Sequence, residues 1–174
     1  QKLVLIDTGT SEAAYKSTNG MSGQLMTNLA AAGIDANAID AVIISHYHGD
    51  HINGLLNATN GLAFPKAEIL VPAAEHKFFM DDGEMSRAPA GRMQTVFKNA
   101  RRVVNAEVLK RITTYEPGKE IVPGITAVET NGYLGDKLSD AELSTVDLVL
   151  LGIKAWGNEK HKVLTGRELE PTLA

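Results

Sequence analysis

Three of the 5 histidines in this 174-residue chain lie within one short segment, Ser45-His46-Tyr47-His48-Gly49-Asp50-His51. Imidazole and carboxylate are ligands of Zn²⁺ and also of Fe and Mn. A catalytic site of this kind keeps one coordination position open for water, whose pKa the cation lowers from about 15.7 to about 7. The hydroxide so formed attacks carbonyl or phosphoryl centres. The segment therefore predicts a hydrolytic metal site.

The spacing of these residues indicates how they could share a site. His46 and His48 are two positions apart, so on an extended segment both imidazoles project from one face while Tyr47 points away. Gly49 permits a sharp turn into a short helix, whose start presents Asp50 and His51 to the same pocket. We predict these two histidines, together with Asp50 and His51, as metal ligands. Asp50 is also the candidate catalytic residue, because its carboxylate could orient the attacking water.

Other readings of these polar residues remain open. The histidines could form a solvent-facing or hydrogen-bonded cluster that binds no metal. Asp7 follows an apolar stretch in Asp7-Thr8-Gly9, where it either caps its own turn or hydrogen-bonds a ligand imidazole from behind. His76 stands alone in sequence and is predicted to be a surface or core-edge residue. Asn53 and Gly54 are expected to shape the ligand helix without binding.

Alternating strands and helices are predicted to carry the cluster, which indicates an α/β fold. The predicted strands are Lys2–Ile6, Ala41–Ile44, Ala67–Val71, Gly124–Thr130 and Val146–Leu151. The predicted helices are Ser22–Gly33, His51–Leu56, Pro72–Met80 and Gly91–Arg111, with a further turn from Ser139 to Glu142. Asp7 and the histidine segment each follow a strand, and the carboxyl ends of strands are where α/β proteins place chemistry.

Length and charge restrict the class of partner. A chain of 174 residues fits a single domain over 1–174, and its net charge of −4 gives no general attraction to polyanions. The basic face of the Gly91–Arg111 helix is interpreted as a solvated surface, since no aromatic side chains alternate with its charges. We therefore expect a small-molecule substrate, with neither membrane nor nucleic acid as a partner. A homodimer and the compartment, bacterial cytoplasm or periplasm, are left open.

The chain resembles the metallo-β-lactamase-fold hydrolase superfamily, near its bacterial lactonase-like branch. The resemblance lies in Lys2-Leu3-Val4-Leu5-Ile6-Asp7-Thr8-Gly9, in the His-x-His-x-Asp-His motif of residues 46–51, and in flanking stretches up to about residue 130. It implies an αβ/βα sandwich with one or two metal ions, zinc or else Fe or Mn, at one edge. His46 and His48 would bind the first metal, and Asp50 and His51 the second.

Two features depart from that family pattern. Relatives place a glycine-histidine pair after the strand that corresponds to Gly124–Val128, whereas this chain continues without histidine through Glu129–Leu134. Asp136 and His161 are the remaining counterparts by residue type, and they are further candidates for metal contact. Relatives also have strands before the Asp-Thr-Gly strand, so a truncated or divergent form of a longer enzyme is expected.

These observations together predict a metal-dependent hydrolase that cleaves an ester-like bond, with a lactone as the first choice of substrate. A phosphoesterase or nuclease of the same fold is an alternative, because loops build the substrate pocket. A second alternative, from another class, is a catalytically inactive and metal-poor remnant that acts as a binding or assembly module.

Overall fold

The structure is a computed structural model, and it describes residues 2–116, 119–125, 127–130, 139–144, 148–151 and 158–165. The chain divides into two compact units, Gln1–Glu116 and Pro117–Ala174. The first unit contains all of the histidine segment. In the part of the chain that the structure describes, no helix combines the length and apolar character that a bilayer crossing requires.

A four-stranded parallel sheet forms the centre of the first unit. Its strands are β1 (Val4–Ile6), β2 (Ala41–Ile43), β3 (Glu68–Pro72) and β4 (Ile112–Tyr115), and they neighbour one another in that order. Val4 pairs with Ala41, which in turn pairs with Glu68. All three residues of β2 are buried, as expected for an apolar strand inside a parallel sheet. Because the strands run in one direction, their carboxyl ends meet at one edge of the sheet.

Helices connect these strands and cover the sheet. They are α1 (Ala13–Ser17), α2 (Leu25–Ala31), α3 (Gly49–Ile52), α4 (Ala73–Met80), α5 (Asp82–Arg87), α6 (Arg92–Val103) and α7 (Ala106–Leu109), with 3₁₀ turns at Ala36–Ala38 and Asn53–Leu55. Helix α6 buries Phe97, Ala100 and Val103 completely, and these three residues share one helical face. They pack in one cluster with Val42 and Val71 of the sheet, so α6 closes the core over this side of β2 and β3.

The helix predicted over Gly91–Arg111 is wrong in its length. Helix α6 ends at Val103, and Asn105 begins the separate helix α7 by accepting hydrogen bonds on its Oδ1 from the backbone N–H groups of Glu107 and Val108. The apolar period continues across this break, which is why periodicity alone did not reveal it. The asparagine cap ends one hydrogen-bonded helix and starts another.

Other element boundaries differ by a few residues from the prediction. The helix predicted from His51 begins at Gly49 and becomes a 3₁₀ turn after Ile52. Pro72 ends β3 and precedes α4, where its fixed φ suits the transition from strand to helix. Strand β4 was not predicted, because its sequence Ile-Thr-Thr-Tyr carries a weak apolar signal. The prediction of an α/β fold is confirmed.

The described part of the second unit contains a parallel pair of strands, β5 (Ala127–Thr130) and β6 (Leu148–Leu151). Two helices, α8 (Asp140–Leu143) and α9 (Asn158–Thr165), lie in the same unit. Both strands fall within segments where the sequence predicts them, and α8 overlaps the predicted Ser139–Glu142 turn but ends one residue later, at Leu143.

A close backbone approach fixes the 3₁₀ turn after α3 against the loop after β1. The Gly54 N–H donates to the Gly9 carbonyl at 3.1 Å, and a Cβ at Gly54 would lie 2.1 Å from the Thr8 carbonyl oxygen. Real Cβ atoms do not come so close to backbone, so a side chain here would separate the two segments. Glycine at position 54 therefore allows the histidine segment to pack on the β1 loop.

We expect Gly54→Ala to lower the free energy of unfolding by at least about 1–3 kcal/mol, the usual cost of overpacking a tight contact. Gly61→Ala is the matched control, because its Cβ would meet only the Asn57 side chain, at 3.3 Å. Urea unfolding followed by circular dichroism measures both variants. Equal unfolding midpoints for the two would contradict the close approach at Gly54.

Candidate metal centre

The carboxyl edge of the parallel sheet brings the predicted site residues together. Asp7 directly follows β1, and its backbone N–H donates to the Ile43 carbonyl at 2.8 Å, which extends the ladder between β1 and β2. The segment from Ser45 to His48 follows β2 and leads into α3. Parallel pairing thus places the carboxylate of one loop beside the imidazoles of the next.

Asp7 adopts a left-handed backbone conformation, with φ of 52°. This region costs most side chains energy, and aspartate and asparagine tolerate it best after glycine. The turn directs the carboxylate toward β2, where Oδ1 accepts from the Ser45 N–H at 2.8 Å and Oδ2 accepts from the Ser45 hydroxyl at 2.7 Å. Oδ2 also accepts from His51 Nδ1 at 2.7 Å. One carboxylate therefore joins β1, the segment after β2, and α3.

A buried threonine adds a second connection between the β1 loop and α3. Both the backbone N–H and the hydroxyl of Thr8 donate to the His51 carbonyl, each at 2.8 Å. Thr8 has no exposed surface. The backbone of His51 is thereby held from one side while Asp7 holds its imidazole, so both the position and the ring orientation of this histidine are determined.

The three imidazoles are in mutual contact. The ring centroids of His46 and His51 lie 3.9 Å apart, and those of His46 and His48 lie 4.7 Å apart. His46 Nε2 is 3.0 Å from His48 Nδ1. Asp50, whose side chain is 69% exposed, places Oδ2 3.6 Å from His51 Nε2. The four predicted ligands thus gather at one place rather than diverge into solvent.

The hydrogen-bond network assigns the tautomers of two of these rings. Because Asp7 can only accept, His51 carries its proton on Nδ1. The Ser45 hydroxyl gives its proton to Asp7 and can then accept from His46 Nδ1, which is 3.1 Å away. With this assignment His46 Nε2 can accept from His48 Nδ1, which is 3.0 Å away, and His51 Nε2 lies 3.6 Å from Asp50 Oδ2. The bond from His51 Nδ1 to Asp7 is of the kind by which outer carboxylates orient metal-binding imidazoles.

The cluster fits a divalent metal in donor type and in pairwise spacing. Two ligand atoms on a tetrahedral zinc, each about 2.0–2.1 Å from the ion, lie about 3.3 Å apart. The separations of 3.0 Å within the His46 and His48 pair and 3.6 Å between His51 and Asp50 lie on either side of that value. Among the residues that the structure describes, however, no group of three or more acidic or histidine side chains is arranged to hold one ion. The ligand roles stay a prediction.

The structure does not test the two remaining candidates for metal contact, Asp136 and His161. Asp136 lies outside the described residues, as does most of the segment 129–134, which contains no histidine. His161 belongs to helix α9 of the second unit, and its side chain lies outside the description. Asp7 forms the predicted hydrogen bond to an imidazole, and the role of that imidazole as a ligand stays a prediction.

Sequence reasoning missed several residues that shape the cluster. Ser45 adjoins the motif and Thr8 adjoins Asp7, so adjacency was the available signal for both. The link between Tyr47 and helix α4 had none, because Glu75 and His76 lie 28 and 29 residues further along the chain. Tyr47 is fully buried, and its hydroxyl lies 2.7 Å from His76 Nδ1. His76 is half-buried, in agreement with a core-edge position.

The pKa shifts of Tyr47 and His76 indicate which of the two side chains donates the hydrogen bond between them. Burial, followed by the nearby Glu75 carboxylate, raises the pKa of the Tyr47 phenol far above its usual value. Burial lowers the pKa of His76 below 6.5. The phenol therefore donates and the neutral His76 Nδ1 accepts.

The fold and the cluster define a class of protein: an α/β protein with histidine and aspartate side chains gathered at the carboxyl edge of a parallel sheet. The sequence model of the metallo-beta-lactamase superfamily matches residues 1–152. The chain belongs to that superfamily, whose members are generally hydrolytic. This confirms the resemblance found in the sequence.

Solved structures share this fold at low sequence identity. AbOPH, a hydrolase in the beta lactamase superfamily, has 24% identity and a TM-score of 0.61, over 76% of this chain and 45% of its own. AidC, a dizinc quorum-quenching lactonase in complex with a product, has 24% identity and a TM-score of 0.59, over 76% of this chain and 46% of its own. The chain thus spans less than half the length of either protein. A comparison with curated proteins finds no match.

We expect Asp7→Asn to reverse the tautomer of His51. Asparagine tolerates the left-handed turn, and its oxygen can keep the bond from the Ser45 N–H, but its amide group then faces His51 Nδ1 as a donor. The ring proton moves to Nε2, and affinity for Zn²⁺ falls about 10–100-fold. Long-range ¹H–¹⁵N NMR reads the tautomer, and competition with a chelator reads the affinity.

Asp40→Asn is the control for this experiment. Asp40 Oδ2 also accepts from a backbone N–H, that of Leu3 at 2.8 Å, but it lies away from the cluster. An unchanged His51 tautomer in Asp7→Asn would contradict the proposed role of the carboxylate.

Acidification should destabilise the protein partly through His76. Because the pKa of His76 is lower in the folded chain, the unfolded chain takes up its proton at a higher pH than the folded chain does. Stability due to this group is therefore complete above pH 6.5 and decreases below it. His76→Asn retains an acceptor for Tyr47 without this titration, so its free energy of unfolding should fall less between pH 7.5 and 5. Urea titrations at both pH values test this, and identical losses in the two proteins would refute it.

Proposed function

We propose that this protein is a metal-dependent hydrolase that cleaves an ester-like bond, with a lactone as its first-choice substrate. The observation that carries the proposal is the shared orientation of His46 and His51 by the Asp7 carboxylate, directly or through the Ser45 hydroxyl. Both rings lie in a cluster that also contains His48 and Asp50. Superfamily membership supports hydrolysis as the reaction class.

His46 and His48 would hold one cation, and Asp50 and His51 a second. Zinc is the first choice, since imidazole and carboxylate suit it and AidC is a dizinc protein; iron and manganese accept the same ligands. When bound, such a cation supplies Lewis acidity and lowers the pKa of water near a scissile carbonyl.

Asp7, Ser45 and Asp50 have separate roles in the proposed reaction. Asp7 accepts the His51 Nδ1 proton and keeps this ring in one tautomer, and Ser45 passes the same constraint to His46. Asp50 has an exposed carboxylate beside His51, so it can accept a hydrogen bond from an attacking water and orient it toward substrate. In this assignment Asp50 is the catalytic residue, and Asp7 and Ser45 are positioning residues.

The choice of a lactone rests on the shared fold with AidC, a lactonase. β-Lactams, thioesters and phosphoesters are the competing substrates, because the same fold accommodates them by changing its loops. The proposed substrate is a small molecule, because the net charge of −4 gives the chain no general attraction to polyanions.

Metal content and turnover test the proposal together. Protein purified without chelator should contain about one to two equivalents of Zn, Fe or Mn, and should hydrolyse a homoserine lactone faster than a β-lactam, a thioester or a phosphodiester. Faster phosphodiester cleavage would replace the lactone by a phosphoester. Little metal and no turnover of any substrate would overturn the proposal in favour of a non-catalytic binding module.

The variant His48→Ala should lower kcat/KM for the best substrate by more than about 100-fold, because loss of a ligand costs more than loss of an outer hydrogen bond. Lys98→Ala, at an exposed position of α6, is the control and should retain full turnover. Hydrolysis assays with metal content measured in parallel compare the variants. Wild-type turnover in His48→Ala would exclude this site from catalysis.

A further inference from the structure

We propose that Glu75 and His76, at the start of helix α4, are positioning residues that set the geometry of His46 and His48. They do so by holding Tyr47, Glu75 through its backbone N–H and His76 through its hydroxyl. The inference rests on the proposed function in one respect, that His46 and His48 are metal ligands. It assigns a role to two residues outside the His-x-His-x-Asp-His motif and on a different helix from Asp50 and His51.

The first contact acts on the backbone. The Tyr47 N–H donates to Glu75 Oε1 at 2.7 Å. This N–H belongs to the peptide group that joins His46 to Tyr47, so holding it restricts the ψ angle of His46. The carboxylate acceptor makes this a charge-assisted bond, which is stronger than a bond between neutral groups. Helix α4 follows β3, the neighbour of β2, and parallel pairing therefore brings its first turn beside the histidine segment.

The second contact acts on the side chain. The Tyr47 hydroxyl donates to His76 Nδ1 at 2.7 Å, and the two rings meet edge to face at a centroid distance of 6.0 Å. Phe79, one helical turn further along α4, lies against the same tyrosine ring at 5.9 Å. Tyr47 has no exposed surface. The ring is thus held at its tip and along its body, which fixes the direction of the Tyr47 side chain.

Because side chains alternate along an extended segment, a fixed Tyr47 fixes its neighbours on the opposite face. His46 and His48 lie on that face with Nε2 and Nδ1 3.0 Å apart. A rotation of the backbone at Tyr47 would change this separation directly. His51 is held instead by Asp7 and Thr8, so it should be less sensitive to α4 than His46 and His48 are. The two sets of contacts therefore make separable predictions for the three rings.

The experiment uses the full chain with Tyr47→Phe and Glu75→Ala as disruptive variants and Glu75→Gln as the conservative one. In metal-free protein, the ring ¹⁵N shifts of His46 and His48 should change in both disruptive variants, and more than those of His51. Affinity for Co²⁺, read from its visible absorption in competition with a chelator, should fall about 10-fold or more. Glu75→Gln keeps an acceptor oxygen and should restore most of the affinity.

Asn105→Ala is the matched control for a general loss of stability. It removes the cap of α7, a helix of the same unit, without touching the histidine segment. Its ring shifts and Co²⁺ affinity should equal those of the wild type, while urea unfolding shows that the fold is destabilised.

The outcomes separate this inference from the proposed function. If the disruptive variants lose stability but keep wild-type ring shifts and Co²⁺ affinity, Glu75 and His76 only anchor the fold and the inference is overturned. If wild-type protein binds no Co²⁺, Zn²⁺, Fe²⁺ or Mn²⁺, the proposed function fails. The ring shifts of metal-free protein then decide alone, and unchanged shifts of His46 and His48 overturn the positioning role.

Discussion

The arrangement of the site depends on one carboxylate, that of Asp7. Its two oxygens accept from the Ser45 N–H, the Ser45 hydroxyl and His51 Nδ1, all within 2.8 Å. Both donor residues follow β2, and the Asp7 carboxylate reaches them because β1 and β2 are parallel neighbours. The Asp7 side chain is 21% exposed, and these three bonds supply hydrogen-bond partners to both carboxylate oxygens. Without the bond from His51 Nδ1, the tautomer of His51 would not be determined.

Two sets of contacts hold the histidine segment, one from the loop after β1 and one from helix α4. On the β1 side, Thr8 and Asp7 bind the backbone and ring of His51, and Gly54 lets the two loops approach. On the α4 side, Glu75 and His76 contact Tyr47. An extended segment presents alternate residues to opposite faces. Contacts that fix the buried tyrosine on one face therefore also restrict the imidazoles on the other face.

Much of this architecture could be predicted, because buried strands and shared faces leave a pattern among neighbouring residues. Apolar runs such as Ala41–Ile44 identify buried strands, and two histidines separated by one residue identify a shared face. Contacts between distant residues have no such signal: Glu75 bonds to a backbone N–H 28 residues away, which no spacing rule reveals. The break at Asn105 was missed for the opposite reason, because apolar periodicity continued through a cap whose effect depends on hydrogen bonds.

The division between constrained and exposed side chains also indicates how ligand binding would be distributed over the cluster. His46 and His51 are oriented by folding itself, so the loss of rotamer freedom, up to about 1–2 kcal/mol for a flexible side chain, precedes any encounter with a cation. Asp50 differs, because its side chain is 69% exposed and its oxygen lies 3.6 Å from the nearest imidazole nitrogen. A cation would therefore meet preoriented nitrogen donors first and order the carboxylate second. That sequence suits Asp50 to a role in orienting water, since a carboxylate with remaining freedom can follow the hydrogen bonds of a reacting molecule.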